Sequence, residues 1–297
     1  MSATAGSKES APAGARVALA NEHTVAVVDP AAGGRVQHLV DFASGRELLY
    51  QRNAGDSGAA FLEASTGGWD ELFPNDSPVG SYPDHGVIWN TPFAVTAFEP
   101  RTELRMTATL FEPQVRINRI YRLLDPPRRG LRLETELVAG EVDPGPWLWS
   151  SHPMLSVAPG WTIVVTGNEL RSDRQRPGRF QAGITLSDRD QRLAAVVPSR
   201  GQQLEEVLYL NAASKVTVRS PVGEQTTRVA WDAGRLPYAW IVTVVATAGI
   251  DLCLVVEPST SSGYDLNENP DRLEQLTPGT PVQFAVEVES LDGISAE

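Results

Sequence analysis

The sequence predicts an all-β protein built from large antiparallel sheets packed face to face. Three observations carry that expectation. Apolar and polar residues alternate with a period of two in segment after segment, the pattern of a strand with one buried face. No long stretch sustains a 3.6-residue period, so crossover helices, which parallel strands need, are missing. The 25 glycines and 22 prolines punctuate the alternating segments and form no low-complexity block. No repeat of 20 to 50 residues is present, which disfavours a propeller or solenoid. A large sandwich or barrel remains.

Taken in order, VALANEHTVAVVD (Val17–Asp29) reads as two short strands around an Asn-Glu turn. GRVQHLVDF, FAVTAFEP and TELRMTATLFEP continue the alternation. In PQVRINRIYRLLD, Val115, Ile117 and Ile120 alternate imperfectly with Arg116, Arg119 and Arg122. LRLETELVAG, WTIVVTG, KVTVRS, TTRVAWDA and VQFAVEVESL follow, giving at least twelve strands. The apolar run from Ala239 to Val256 is interrupted by Gly249 and Asp251, so it reads as two core strands joined by a tight turn and not as a membrane span. Short helical turns fit only at 188–192 and 271–276. The first 14 residues are small, polar and Pro/Gly-rich with no apolar core, and read as a disordered tail; residues 15–297 read as one domain. A cytoplasmic location is the default expectation.

Composition narrows the function. A net charge of −12 repels a nucleic-acid backbone or an anionic membrane and disfavours a strongly anionic substrate. The single cysteine, Cys253, excludes an internal disulfide framework and a cysteine-based zinc site; in LCLVVE it reads as a small buried hydrophobe.

Residues 67–92, GGWDELFPNDSPVGSYPDHGVIWNTP, hold the chemistry-bearing mixture. Trp69, His85 and Trp89 sit among Asp70, Glu71, Asp76 and Asp84 in a segment too irregular for one strand. Indole faces pack on the C–H faces of a sugar ring, and carboxylates and imidazole hold its hydroxyls. A long surface loop pinned by two buried tryptophans has the same composition.

The same stretch, with GGWDELFPN followed by YPDHGVIWNTPF, resembles the aldose 1-epimerase (galactose mutarotase-like) superfamily. Two further segments lie in the family's order: SSHPML (Ser150–Leu155), similar to its His-Pro segment, and RLPYAWIVT followed by LCLVVEP (Arg235–Thr243, Leu252–Pro258), similar to its Pro-Tyr strand and Glu-Pro strand end. The resemblance covers residues 15 to 290. It implies a β-supersandwich with a sugar site on a concave sheet face, and an activity that interconverts sugar anomers with neither metal nor organic cofactor. The partner it implies is a small neutral sugar, with no nucleic acid and no membrane.

Anomer exchange requires a base at the anomeric hydroxyl and an acid at the ring oxygen. Glu257 is the candidate base: it ends an apolar strand before Pro258, where burial should raise its pKa, and the resemblance implies that it is the family's catalytic Glu. His152, in the His-Pro segment, is the candidate acid, expected as an imidazolium. His85 corresponds to the family's second histidine. Trp69, Asp70, Glu71, Asn75, Asp76, Trp89 and Trp149 are the candidate sugar-binding residues. Trp147 and Trp149 fit a sugar platform and equally a core, while Trp240 reads as core. One departure stands out: the Arg that many members carry after the Phe-Pro step is replaced here by Asn75 and Asp76, which argues against a sugar phosphate. Arg119 or Arg122 could reach in from a neighbouring strand instead. Two other readings remain open, a non-catalytic carbohydrate-binding protein on the same fold, and a glycoside hydrolase or lyase pairing Asp70 or Glu71 with Glu257.

Overall fold

A computed structural model describes residues 15–52, 67–141, 145–165, 169–172, 184–185, 191–196, 204–247, 250–263 and 276–292. The expected N-terminal tail lies outside them. So do the two expected helical turns, save Leu276 and the strand residues Gln191 and Arg192. Among the described residues there is no α-helix, hence none long and apolar enough to cross a membrane. One 3-10 turn spans Ile88–Asn90.

Twenty strands are described. The first five are β1 (Val17–Ala20), β2 (Thr24–Asp29), β3 (Arg35–Asp41), β4 (Arg46–Glu47) and β5 (Trp69–Leu72). Next come β6 (Ala94–Glu99), β7 (Glu103–Phe111), β8 (Gln114–Leu123), β9 (Arg129–Ala139) and β10 (Ser150–Leu155). Then follow β11 (Thr162–Val165), β12 (Glu169–Ser172), β13 (Ile184–Thr185), β14 (Gln191–Val196) and β15 (Leu204–Asn211). The last five are β16 (Lys215–Arg219), β17 (Gln225–Trp231), β18 (Tyr238–Thr247), β19 (Ile250–Ser259) and β20 (Pro281–Asp292).

They form two antiparallel sheets. The first has eleven strands in the order β1-β2-β3-β5-β10-β19-β18-β15-β12-β13, with β4 beside β3. The second has nine, in the order β14-β11-β16-β17-β20-β9-β8-β7-β6. Of the sandwich or barrel that alternation left open, the sandwich that the resemblance implied is what forms. β8 shows why: Val115, Ile117 and Tyr121 turn inward, while Arg116 and Arg122 alternate outward. The core lies between the sheets, filled by residues such as Leu39, Trp69, Trp149, Leu254, Val256, Ile241, Tyr121 and Phe284. Trp149 stacks on Phe284 of the opposite sheet, ring centroids 4.5 Å apart.

The strands missed by alternation are the ones that matter. All four residues of β5 and all six of β10 are buried, so neither alternates. A strand covered on both faces loses the period-two signal, and the segment holding Trp69 to Leu72 is a strand followed by a loop. The loop returns to the end of β5: the Val87 N–H donates to the Phe73 carbonyl at 2.9 Å. That return requires a glycine. Gly86 has φ +67°, and a Cβ there would sit 2.3 Å from the Phe73 oxygen.

Candidate functional site

Cross-strand register assembles one transverse row on the first sheet, on the face turned away from the core. Trp69 pairs with Val36, and the same register sets Asp70 beside Arg35. Asp70 pairs with His152 across β5 and β10. The β10–β19 register, fixed by Ser150 opposite Ser259 and Met154 opposite Val255, sets His152 opposite Glu257. Glu257 pairs with Trp240, and Trp240 with Tyr209. Residues directly opposite on an antiparallel pair share a face. The row therefore runs from a charged end, Arg35 and Asp70, through His152 and Glu257 to an aromatic end at Trp240 and Tyr209.

The contacts within the row are close. His152 Nε2 lies 3.7 Å from Glu257 Oε1, and Arg35 Nε donates to Asp70 Oδ1 at 2.7 Å. His85 packs edge-on against His152, ring centroids 5.8 Å apart. It reaches there from the loop after β5, with φ +64°, a left-handed conformation uncommon for a residue with a side chain. Its Nδ1 lies 3.0 Å from Asp84 Oδ2 and its Nε2 3.7 Å from Asp76 Oδ1. Asp84 thus holds its own neighbour.

Burial sets the protonation of the row. It lowers the His152 pKa from 6.5 to about 3, with the charge of His85 adding to the effect. Burial also raises the Asp70 carboxyl above its usual range, although Arg35 pulls it down. His152 is therefore a neutral imidazole near pH 7, which corrects the expectation of a resident imidazolium. A pH dependence follows. The unfolded chain takes up a proton near pH 6.5 that the folded imidazole refuses until about 3, so stability is lost as pH falls through that window. Between pH 7 and 5 this one group is expected to cost the fold about 2 kcal/mol. Denaturant titrations of wild type and His152→Asn at both pH values check this: the variant should lose about that much less, and parallel losses would refute it.

Several sequence-predicted residues lie elsewhere, for reasons of parity. Trp69 and Glu71 alternate with Asp70 and so face the core. Trp69 Nε1 donates to Ser151 Oγ at 2.7 Å, and Glu71 pairs with Arg119 of the opposite sheet. Trp149 is buried on Phe284 and is no sugar platform. Asn75 is fully buried and braces the loop, donating to the carbonyls of Ser77 and Pro83 at 2.9 and 2.7 Å. Trp89 packs on Leu72 and donates to the Gly86 carbonyl at 3.0 Å, fixing the turn that carries His85. Arg119 does not reach the row, and Arg122 is bonded to Glu103 and Glu134, each at 2.7 Å, on the second sheet.

Arg35 and Tyr209 are row members the sequence reading did not name, and Trp240, read there as core, is a third: it is buried beside Tyr209, apart from the main core. Trp240 was readable in principle: folding the run so that Thr247 pairs with Ile250, about the break at Gly249, sets Trp240 opposite Glu257 and turns it off the core face. Arg35 was not, because a register shift between β2 and β3, at Val27/Val28, makes counting from the strand pattern unreliable.

A trough of about 1030 Å³ lies on the outer face of the second sheet and not at this row. Several of its polar side chains bond one another: Arg132 donates to Glu134 and Glu287 at 2.8 and 2.9 Å, and Asn118 to Glu136 at 2.8 Å. No group of three or more potential metal-ligating side chains is found among the described residues.

No family model and no curated protein matches the sequence. Solved structures do match over nearly the whole chain. The Slr1438 protein of Synechocystis sp. PCC 6803 superposes with a TM-score of 0.73 at 16% identity, covering 99% of this chain and 100% of that one. A galactose mutarotase-like protein from Lactobacillus casei ATCC 334 gives 0.68 at 18%, covering 93% and 100%. The chain has the galactose mutarotase-like fold. A galactose mutarotase related enzyme from Lactobacillus acidophilus adds a TM-score of 0.65 at 15% identity, over 94% of this chain and 98% of that. In this galactose mutarotase-like sandwich, His152, Glu257 and Asp70 all stand on neighbouring strands of the eleven-stranded sheet, with His85 brought over them by the loop.

Proposed function

We propose that the chain is an aldose 1-epimerase-like isomerase acting on a free sugar. The observation that carries this reading is the meeting of His152 and Glu257, 105 positions apart, at 3.7 Å on a mutarotase-like scaffold. The Glu257 carboxylate takes the proton from the anomeric hydroxyl as the C1–O5 bond breaks and the C1 carbonyl forms. His152 starts neutral and lies next to the protonated Glu257, so the pair can pass that proton on to O5. Rotation about C1–C2 and reversal of both transfers close the other anomer. The proton moves from O1 to O5 and is returned, so no metal or cofactor is consumed.

The two groups lie 3.7 Å apart, so the sugar must lie over the row and not between acid and base. That contact also disfavours a glycosidase: His152 stands between Asp70 and Glu257, and Glu71 faces the core. Proton NMR exchange or polarimetry on α-glucose, α-galactose and other aldoses tests the reading. Acceleration by micromolar protein supports it, whereas spontaneous rates across the panel would count against it. Sugar binding without exchange would instead favour a non-catalytic carbohydrate-binding protein, a reading that the absence of an Arg after Phe73-Pro74 keeps open.

A further inference from the structure

The trough on the outer face of the second sheet is a site of its own. Two adjacent transverse rows form its floor. Thr107, Asn118, Glu136 and Gln283 stand opposite one another on β7, β8, β9 and β20, and the next row is Arg105, Ile120, Glu134 and Ala285. Ala285, like Ala230 of β17, ends in a methyl group where the flanking arginines are long. That difference in reach leaves the open space of about 1030 Å³.

Three of the four carboxylates lining the trough are doubly held, whereas two of its cations are unpaired among the described residues. Glu134 pairs with Arg122 and Arg132, and Glu287 with Arg128 and Arg132. Glu136 accepts from Gln283 at 2.7 Å and from Asn118 at 2.8 Å, and these two amides keep its carboxyl below the usual range. The fourth, Asp232, accepts from the Gly234 N–H at 2.8 Å. Arg116 acts on Glu136 only from beyond ion-pair distance, and Arg235 pairs with no carboxylate among the described residues. Both residues are exposed. Each guanidinium is a rigid fork of donors suited to a planar anionic group. Arg116 on β8 and Arg235 in the turn after β17 stand three strand spacings apart, roughly 14 Å, so a ligand that meets both is longer than one sugar ring.

The other features of the trough narrow the ligand class. Its lining aromatics, Trp231 and Phe284, are buried in the core, so no ring face is offered to a nucleobase or a neutral sugar. The strands beneath it, β7, β8, β9, β20 and β17, are each paired on both sides, so no backbone edge is free to take an extended peptide. We infer that the trough binds an acidic oligosaccharide, a short chain of sugar units whose carboxylate or sulfate groups meet Arg116 and Arg235. On a chain of net charge −12 the attraction is local to these two forks. The site lies on the opposite outer face of the sandwich from the row and is independent of anomer exchange there.

Calorimetric titration with trigalacturonate, a sulfated trisaccharide, maltotriose and an oligoglutamate peptide at matched ionic strength and pH 7 tests this. The better of the two acidic sugars is expected to bind about tenfold or more tightly than maltotriose, and which one it is assigns the acid group. Arg116→Gln and Arg235→Gln remove exposed side chains with no ion-pair partner among the described residues, so both variants should fold. Each is expected to weaken the acidic sugar about fivefold, and together they should remove its advantage over maltotriose. Maltotriose bound as tightly as the acidic sugars, an advantage that the double variant keeps, tighter binding of oligoglutamate, or no binding of any probe each overturns the inference. The titration reads binding alone, so a failed exchange assay removes the isomerase and leaves this site standing.

Discussion

Glu257→Gln is expected to slow anomer exchange by two orders of magnitude or more while leaving the fold in place. General base catalysis by one positioned group contributes about 10²–10⁴-fold, and the amide keeps the shape of the carboxylate while losing its ability to take a proton. The side chain is 5% exposed and sits against His152, so the amide can still donate to or accept from the imidazole and the local packing survives. His152→Asn should cause a loss of the same size, because each residue passes the same proton. The double variant should then be little worse than either single one, since residues acting as one unit do not add. NMR exchange rates for the three variants check this. Wild-type rates in either single variant remove that residue from the relay, and full additivity would mean that the two act on separate steps.

The proposed relay was legible in the sequence as a pair of residues but not as a geometry. Alternation in segments such as Thr24–Asp29 and Gln114–Leu123 exposes one apolar face per strand, and this narrows the fold to a large sandwich or barrel. It fails for Trp69–Leu72 and Ser150–Leu155, where burial on both faces erases the polar half of the pattern. Those two strands carry Asp70 and His152. The large aromatic and acidic residues in GGWDEL looked like one sugar-binding group because composition ignores facing. Parity separates them: Trp69 and Glu71 go one way, Asp70 and Leu72 the other, and only the second pair reaches the row side. Which side is the core depends on what lies opposite, here Arg119, Thr135 and Phe284 from β8, β9 and β20. Contacts between residues so far apart in the chain leave no local trace in it.

Arg119→Met is expected to destabilise the protein by about 3–5 kcal/mol, the cost of leaving one charge of a buried pair without its partner. Arg119 and Glu71 bridge the two sheets with both side chains at most 2% exposed, and Thr135 Oγ1 donates to Glu71 at 2.7 Å. The guanidinium also stands 4.4 Å from the Phe93 ring centroid and donates to the Gly33 carbonyl, while Tyr121 donates to that of Gly34 at 2.5 Å. The turn it grips leads straight into Arg35, so one arginine in the core fixes both strands that carry the charged end of the row. Met keeps the length and loses the charge and the donors. Burial already raises the Glu71 pKa, and Arg119 is the strongest influence holding it down. Without Arg119 the folded pKa rises further above the unfolded one. A group in that condition favours the fold at low pH and loses its contribution as pH rises through the folded pKa. The deficit of Arg119→Met relative to wild type should therefore be largest near pH 7 and shrink toward pH 5. Adding Glu71→Gln should recover most of it at pH 7, because the uncompensated charge is gone while the shape remains. Urea titrations of the two single variants and the double one, at both pH values, measure the cycle. A deficit independent of pH and unrelieved by Glu71→Gln would mean that the backbone contacts to Gly33, and not the ion pair, make Arg119 necessary.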